Sequence, residues 1–304
     1  MSIIISPLTS FGCLKISGKE VRNFIQGQLT CNIDEISENR LSLAAYCNDK
    51  GRISASGYII MLEGEYFFLT PKNLLAHTEQ KFKQYAIFSN IIVKQTNEIL
   101  AVACINTPNN IDLPTIDSQV NNIEPGVKAA CINSDNNLFL FFGKMANMIE
   151  FQDKINSQKD VDLMLDMHHW EQANINSGIV HIHPETLEKL TPHMINYHKT
   201  SAVSFEKGCY LGQEIIARTE HRGRSKRKLY KCEINNNNSV AIGENITTKS
   251  GEQAGMIVAL GSVEKDKSHA LLVLADHTIS SSLFVQNTSI ENLTVVAQPE
   301  AATQ

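Results

Sequence analysis

A chain of 304 residues with 42% hydrophobic and 19% charged side chains can bury a large core and accommodates two domains or three. No apolar run approaches the ~20 residues that a membrane-spanning helix needs, so no membrane association is expected, and MSIIISPLTSFG lacks the basic flank and cleavage site of a signal peptide. The seven cysteines, Cys13, Cys31, Cys47, Cys104, Cys131, Cys209 and Cys232, include no C-x-x-C pair, which signals neither a zinc site nor a disulfide framework and predicts reduced thiols in the cytoplasm.

GCLKIS (12–17) reads as a strand. It leads into a helix for which Ser17 and Glu20 have capping-box spacing and Val21, Phe24, Ile25 and Leu29 share a face. LSLAAYCNDKGRISASGYIIML reads as two strands around a turn at 48–51, where Asn, Asp and Gly supply the unusual backbone angles. EYFFLT is a third strand, and Leu74, Leu75, Phe82 and Tyr85 mark a helix closing a first α+β unit. ILAVACI and NLFLFF are further strands, flanking an Asn- and Pro-rich stretch (106–126) that reads as a long surface loop. Helices are predicted near 145–156 and from 162 to about 176, the second carrying the only tryptophan, Trp170. After Tyr230 come short β runs, KCEI, AGMIVAL, ALLVLA, SLFVQ and LTVVA, separated by Asn, Gly and Ser turns; NNNN (235–238) is one such loop. They predict a separate antiparallel barrel or sandwich.

Before that β-rich region stands KGCYLGQEIIARTEHRGRSKRKLYK (207–231). From Arg218 to Lys231 seven Lys or Arg face one Glu, a balance of +6 in a chain of net charge -5, leaving the rest at -11. A contrast of that size is either a solvated face or meets something anionic. Gly208 and Gly212 permit tight turning, and Gln213 opens a helix that Gly223 can stop. Cys209 would then lie near a helix N-terminus with Lys207 beside it, two influences that favour thiolate. Such a thiolate could attack an electrophile, ligate a soft metal or exchange with a disulfide; alternatively Cys209 is a small buried residue packing a turn. Arg218 and Arg222 lie on one helical face with Glu214 a turn back, so part of the charge could pair locally. The cluster RGRSKRK suits RNA, an anionic cofactor tail or an acidic protein face, although no RNA-binding aromatic signature accompanies it. His181 with His183, and His168 with His169, lack a third metal ligand at useful spacing.

KGCYLGQE resembles the signature K-G-C-Y-x-G-Q-E of the YgfZ-type folate-binding proteins, relatives of the glycine-cleavage T-protein aminomethyltransferase. IIARTEHRGRSKRKLY, FIQGQLT (24–30), AAYCNDKGR (44–52) and HPETLEKLTPHMINYH (183–198) fit the same pattern in the same order. The resemblance implies an α+β fold: two lobes forming a folate-binding ring over residues 1–225, interleaved or consecutive in sequence, and a C-terminal antiparallel β-barrel over 226–304. It implies tetrahydrofolate or a derivative as cofactor, with Phe11 and Trp170 as ring-stacking aromatics. Asn176 stands where the transferases place a pterin-binding glutamate. Tyr210, Gln213, Glu214, Arg218 and Arg222 are folate-site candidates, the arginines for the glutamate tail. Cys209 would be the reactive thiol and a ligand of a transient iron–sulfur cluster, with Lys207 as its tuner.

One departure bears on activity: Ala55 and Ser56 occupy the place of the transferases' acidic pair, so proton handling in aminomethyl transfer has no evident agent. With that acid missing, the resemblance implies a folate-binding accessory protein for assembly or repair of iron–sulfur enzymes, indirectly supporting tRNA modification. Its expected partners are iron–sulfur clients or assembly factors. A folate-dependent one-carbon transferase and a direct tRNA-binding module are the alternatives.

Overall fold

A computed structural model describes residues 3–87, 89–105, 113–156, 161–163, 168–223, 225–235, 240–264, 266–286 and 288–296. Strand β1 (Ile3–Pro7) precedes β2 (Phe11–Gly18), α1 (Val21–Gln28), β3 (Ser42–Cys47), β4 (Ile53–Leu62), β5 (Glu65–Pro71), α2 (Leu75–Ala86) and β6 (Ile91–Thr96). Strands β2 to β6 form an antiparallel sheet in the order β3-β4-β5-β2-β6. Helices α1 and α2 pack on one face of it through Phe24, Ile25, Leu75 and Phe82, which meet Leu14, Ile16, Ala55, Ile59 and Phe68. Leu75, Thr78, Phe82 and Ala86 are the buried positions of α2, a spacing of three to four residues that lays one stripe on the sheet. β4 is buried on both faces, with Tyr58 and Ile60 turned to a second core.

The second lobe begins with β7 (Ile99–Ile105), β8 (Val120–Glu124), β9 (Val127–Asn133) and β10 (Leu138–Lys144), followed by α3 (Met145–Asn156), β11 (Val161–Leu163) and α4 (His168–Ser177). Its sheet runs β11-β1-β7-β10-β9-β8, so the N-terminal strand belongs here and the lobes interleave. β1 pairs in parallel with β11 and antiparallel with β7. After α4 come irregular segments, then α5 (Gln213–Arg222), and the chain closes a six-stranded antiparallel barrel. The barrel strands are β12 (Arg227–Asn235), β13 (Asn245–Thr248), β14 (Gln253–Glu264), β15 (Lys267–Ala275), β16 (Leu283–Val285) and β17 (Thr288–Val295), in the order β12-β15-β14-β13-β16-β17. α4 lies against β14, and Gly261 makes room for it: a Cβ there would come 2.7 Å from the Gln172 Oε1 and 3.0 Å from the Ile175 Cδ1.

Several local expectations change. The capping box at Ser17 does not form, because Ser17 is still paired in β2 and Glu20 is the N-cap without a side-chain bond. The 106–126 stretch is not wholly loop: β8 pairs with β9 there, while 106–112 lie outside the described residues. The helix carrying Trp170 starts at His168, and Asp162 belongs to strand β11. Of the NNNN loop, Asn235 ends β12 and 236–238 lie outside the described residues. His181 and His183 sit in an extended segment that joins no sheet.

Candidate functional site

The segment leading into α5 is tied down on several sides. The Ser204 N–H donates to the Thr30 carbonyl (2.9 Å), the Thr30 hydroxyl to the Ala202 carbonyl (2.5 Å) and the Leu211 N–H to the Gly27 carbonyl (3.3 Å). Lys207 is buried, and its ammonium donates to the carbonyls of Gln26 (2.5 Å), Leu29 (2.6 Å) and Cys31 (2.8 Å). It thereby satisfies a carbonyl in the last turn of α1, that of the C-cap Leu29 and one in the loop beyond. Nζ also lies 4.8 Å from the ring centre of Tyr210, and burial pushes the group down to about 8. Gly212, at φ 83°, is the N-cap of α5 and passes so close to the 48–51 turn that a Cβ would meet the Asn48 carbonyl at 2.5 Å. Three of the sequence motifs are therefore one junction.

Lys207, expected to tune Cys209, directs its ammonium to the carbonyls of Gln26, Leu29 and Cys31. Cys209 does not share the helix terminus: α5 begins four residues later, and the dipole acts within the first turn. Cys209 is nonetheless the exposed thiol of the seven. The thiols of Cys13, Cys31, Cys104, Cys131 and Cys232 are pushed up to about 12, chiefly by burial.

A separate pocket of about 110 Å³ lies between β2, α4, the 179–183 segment and the barrel. Phe11, Trp170 and His181 form its aromatic lining, with Ile175, Ile179 and Leu260 around them. Phe11 stands edge-on to Trp170 (centroids 6.1 Å apart, 86°) and to His181 (4.9 Å, 87°), and Tyr58 stands 5.5 Å from His181 on its other flank. Trp170 is 2% exposed and His181 7%. Both ring nitrogens of His181, the Asn174 Oδ1 and the Tyr58 hydroxyl are buried without a hydrogen-bond partner. The Asn174 amide nitrogen donates to the Trp170 carbonyl (3.0 Å), which fixes the free oxygen. Burial pushes His181 down to about 3, so its imidazole is neutral, one nitrogen a donor and the other an acceptor. Unpaired buried polar atoms are costly unless a ligand or water completes them. The arrangement suits a flat heteroaromatic ring with donors and acceptors on its edge.

Beside the pocket, sharing Ile179 with it, lies a cavity of about 510 Å³ between the two lobes. Its walls include Tyr58, Ser118, Cys131, Ser177, Tyr197 and Ser201.

The remaining sequence candidates scatter. Asn176 is exposed, and its Oδ1 accepts from the Lys231 ammonium of the barrel (2.5 Å) and the Gln172 amide (3.2 Å), away from both cavities. Asn176, expected to bind the pterin, is thus not among the residues lining either cavity. Tyr210 is buried in the core shared with the barrel. Gln213 is half-buried at the start of α5, and Glu214 and Arg218 are exposed on it; none of these lines either cavity. Among the described residues no ion pair joins Glu214 to Arg218; on α5 Glu220 pairs with His193 instead (3.1 Å). Arg222 ends the helix, and its side chain lies outside the described residues, as does all of Arg224. The basic stretch is thus not one patch, since Lys228 pairs with Asp276 (3.0 Å) and Lys231 turns to Asn176. His181 and Asn174 are the site residues that sequence reasoning missed; the signal was a histidine inside the apolar run GIVHIH.

Ser56 is fully buried, and its hydroxyl accepts the Ile182 N–H (2.8 Å). Among the described residues, no three His, Cys, Asp or Glu side chains group as a metal site, and no helix is long and apolar enough to cross a membrane.

No family model matches the chain. It is similar to the tRNA-modifying protein YgfZ of Blochmanniella pennsylvanica (strain BPEN), 26% identical over 298 residues, covering 92% of this chain and 90% of the relative. The same-named protein of Yersinia enterocolitica is 23% identical over 314 residues, covering 100% of this chain and 94% of that one. That of Colwellia psychrerythraea is 27% identical over 228 residues, 73% of this chain and 69% of the relative. Among solved structures, the glycine cleavage system aminomethyltransferase T from Bartonella henselae superposes with a TM-score of 0.73 at 12% identity, over 99% of this chain and 86% of that one. The resemblance carried by the motifs extends over most of the chain, and the fold is T-protein-like.

Proposed function

We propose that this protein binds a reduced folate, its pterin ring in the pocket of Phe11, Trp170 and His181, and serves iron–sulfur enzymes through Cys209. The observation that carries the reading is the set of buried, unpaired polar atoms around that pocket. A neutral imidazole and an amide oxygen complement the amide-like edge of a pterin, and the neighbouring cavity leaves room for the rest of the molecule. Bound folate would supply one-carbon chemistry; the residues here orient it and exclude water. An iron–sulfur cluster would be cargo, with Cys209 giving a single thiolate. Support of tRNA modification follows from the relatives' name and would be indirect, through client enzymes.

Aminomethyl transfer is the weaker reading, because the place of the acid holds a hydroxyl that accepts a backbone N–H. The test is anaerobic purification together with complementation in cells lacking the protein. Tetrahydrofolate should co-elute with wild type and with Cys209→Ala, and be lost in His181→Leu. Cys209→Ala should fail to restore iron–sulfur enzyme activity, and Ser56→Ala should restore it. Turnover of a methylamine donor to methylenetetrahydrofolate at an enzyme-like rate would instead establish the transferase.

A further inference from the structure

A third concavity, of about 820 Å³, opens where the 48–51 turn, α2, the segment after Thr186 and the start of β12 converge. It is separate from the two cavities assigned to folate, although residues of the 44–52 and 183–198 motifs and Arg227 of the basic stretch line it. Five cations line it, Lys50, Arg52, Lys81, Lys189 and Arg227, brought together from four separate parts of the chain. Among the described residues none of the five forms an ion pair. The Arg52 guanidinium is aimed rather than free: its Nη1 donates to the Lys189 carbonyl (2.6 Å). Two carboxylates, Asp49 and Glu188, share the lining, so five cations against two anions leave three positive charges. Glu188 accepts the Ser54 hydroxyl (2.6 Å), which holds its carboxyl below the usual range. At the rim Tyr85 is 44% exposed, with the buried Tyr46 ring 6.5 Å behind it.

A concave surface concentrates such a potential more than a convex one. Its volume falls within the range of small-molecule sites. Phosphates would meet the cations, and an exposed aromatic face is what a base stacks on. We propose that this cleft binds a nucleotide, its diphosphate held by Lys50, Arg52, Lys81, Lys189 and Arg227 and its base laid against Tyr85.

Titration of the full chain with ADP, pyrophosphate and a short single-stranded RNA, at low and at physiological salt, tests this. ADP should bind in a salt-dependent manner, and the triple variant Lys50→Gln, Lys81→Gln, Lys189→Gln should weaken it about tenfold or more. All three positions are at least partly exposed, so the variant should fold as wild type does. Tyr85→Ala should weaken ADP about fivefold and leave pyrophosphate unchanged. Absence of ADP binding, indifference to the triple variant, equal binding of ADP and pyrophosphate with no effect of Tyr85→Ala, or binding of RNA alone would each overturn the assignment.

Discussion

The signature loop before α5 and the aromatic pocket beside α4 are opposites. In the loop most recognisable residues are tied to the fold: Lys207 by three carbonyls, Gly212 by its packing on the 48–51 turn, and Tyr210 by its ring in the core, its hydroxyl alone being left without a hydrogen-bond partner. Only Cys209 is presented to solvent without a structural task. The pocket has no motif, yet His181 and Asn174 hold polar atoms there that the fold leaves unpaired, as does Tyr58 in the neighbouring cavity. The difference teaches that strength of pattern reports constraint of any kind, whereas an unpaid desolvation cost points to something absent from the chain itself.

The comparison breaks most visibly at Lys207. Lys207→Met keeps the volume but strands the carbonyls of Gln26, Leu29 and Cys31, and should cost about 3 kcal/mol or more in urea unfolding. A change under about 1 kcal/mol would mean that the lysine is kept for chemistry instead.

The pocket is sharpened by pH. His181 is held at about 3 against an ordinary 6.5, so between those values the unfolded chain takes up a proton that the native state refuses. Stability is therefore fully present above pH 6.5 and falls as pH drops toward 3. The slope from this group approaches about 1.4 kcal/mol per pH unit. His181→Leu should flatten the acid limb by that amount. His198, held at about 4, leaves a residual slope in the same direction. An unchanged limb would mean that His181 is solvated in the native state.

The smallest effect belongs to Cys209. Cys209→Ser should shift stability by less than about 0.5 kcal/mol, as for an exposed side chain. Native-state alkylation should fall from one labelled thiol to none. Labelling of Cys232 at a comparable rate in the wild type would remove the distinction between presented and buried thiols.

Much of the architecture was legible where periodicity is local. Alternation and apolar runs gave β3, β4, β5, β7 and β10, and α3 and α5 end where their patterns do. What was not legible depends on distant partners. β1 is a strand because β7 and β11 flank it, and β9 buries Lys128 because Glu38 meets its ammonium at 2.8 Å. Proximity in sequence also misled: one residue separates Lys207 from Cys209, but one side chain is buried against the end of α1 and the loop after it and the other is exposed. His181 reads from sequence only as half of a histidine pair, because the pocket that encloses it is built by α4 together with β2 and the barrel, both distant in the chain.

The most direct test of the central claim uses the single tryptophan, which lies in the pocket wall. Anaerobic titration with tetrahydrofolate, followed by Trp170 emission and by calorimetry on the same samples, should show saturable quenching that tracks the heat of binding. In His181→Leu both signals should weaken about tenfold or more. Folate binding by calorimetry with Trp170 emission unchanged at saturation would contradict the account.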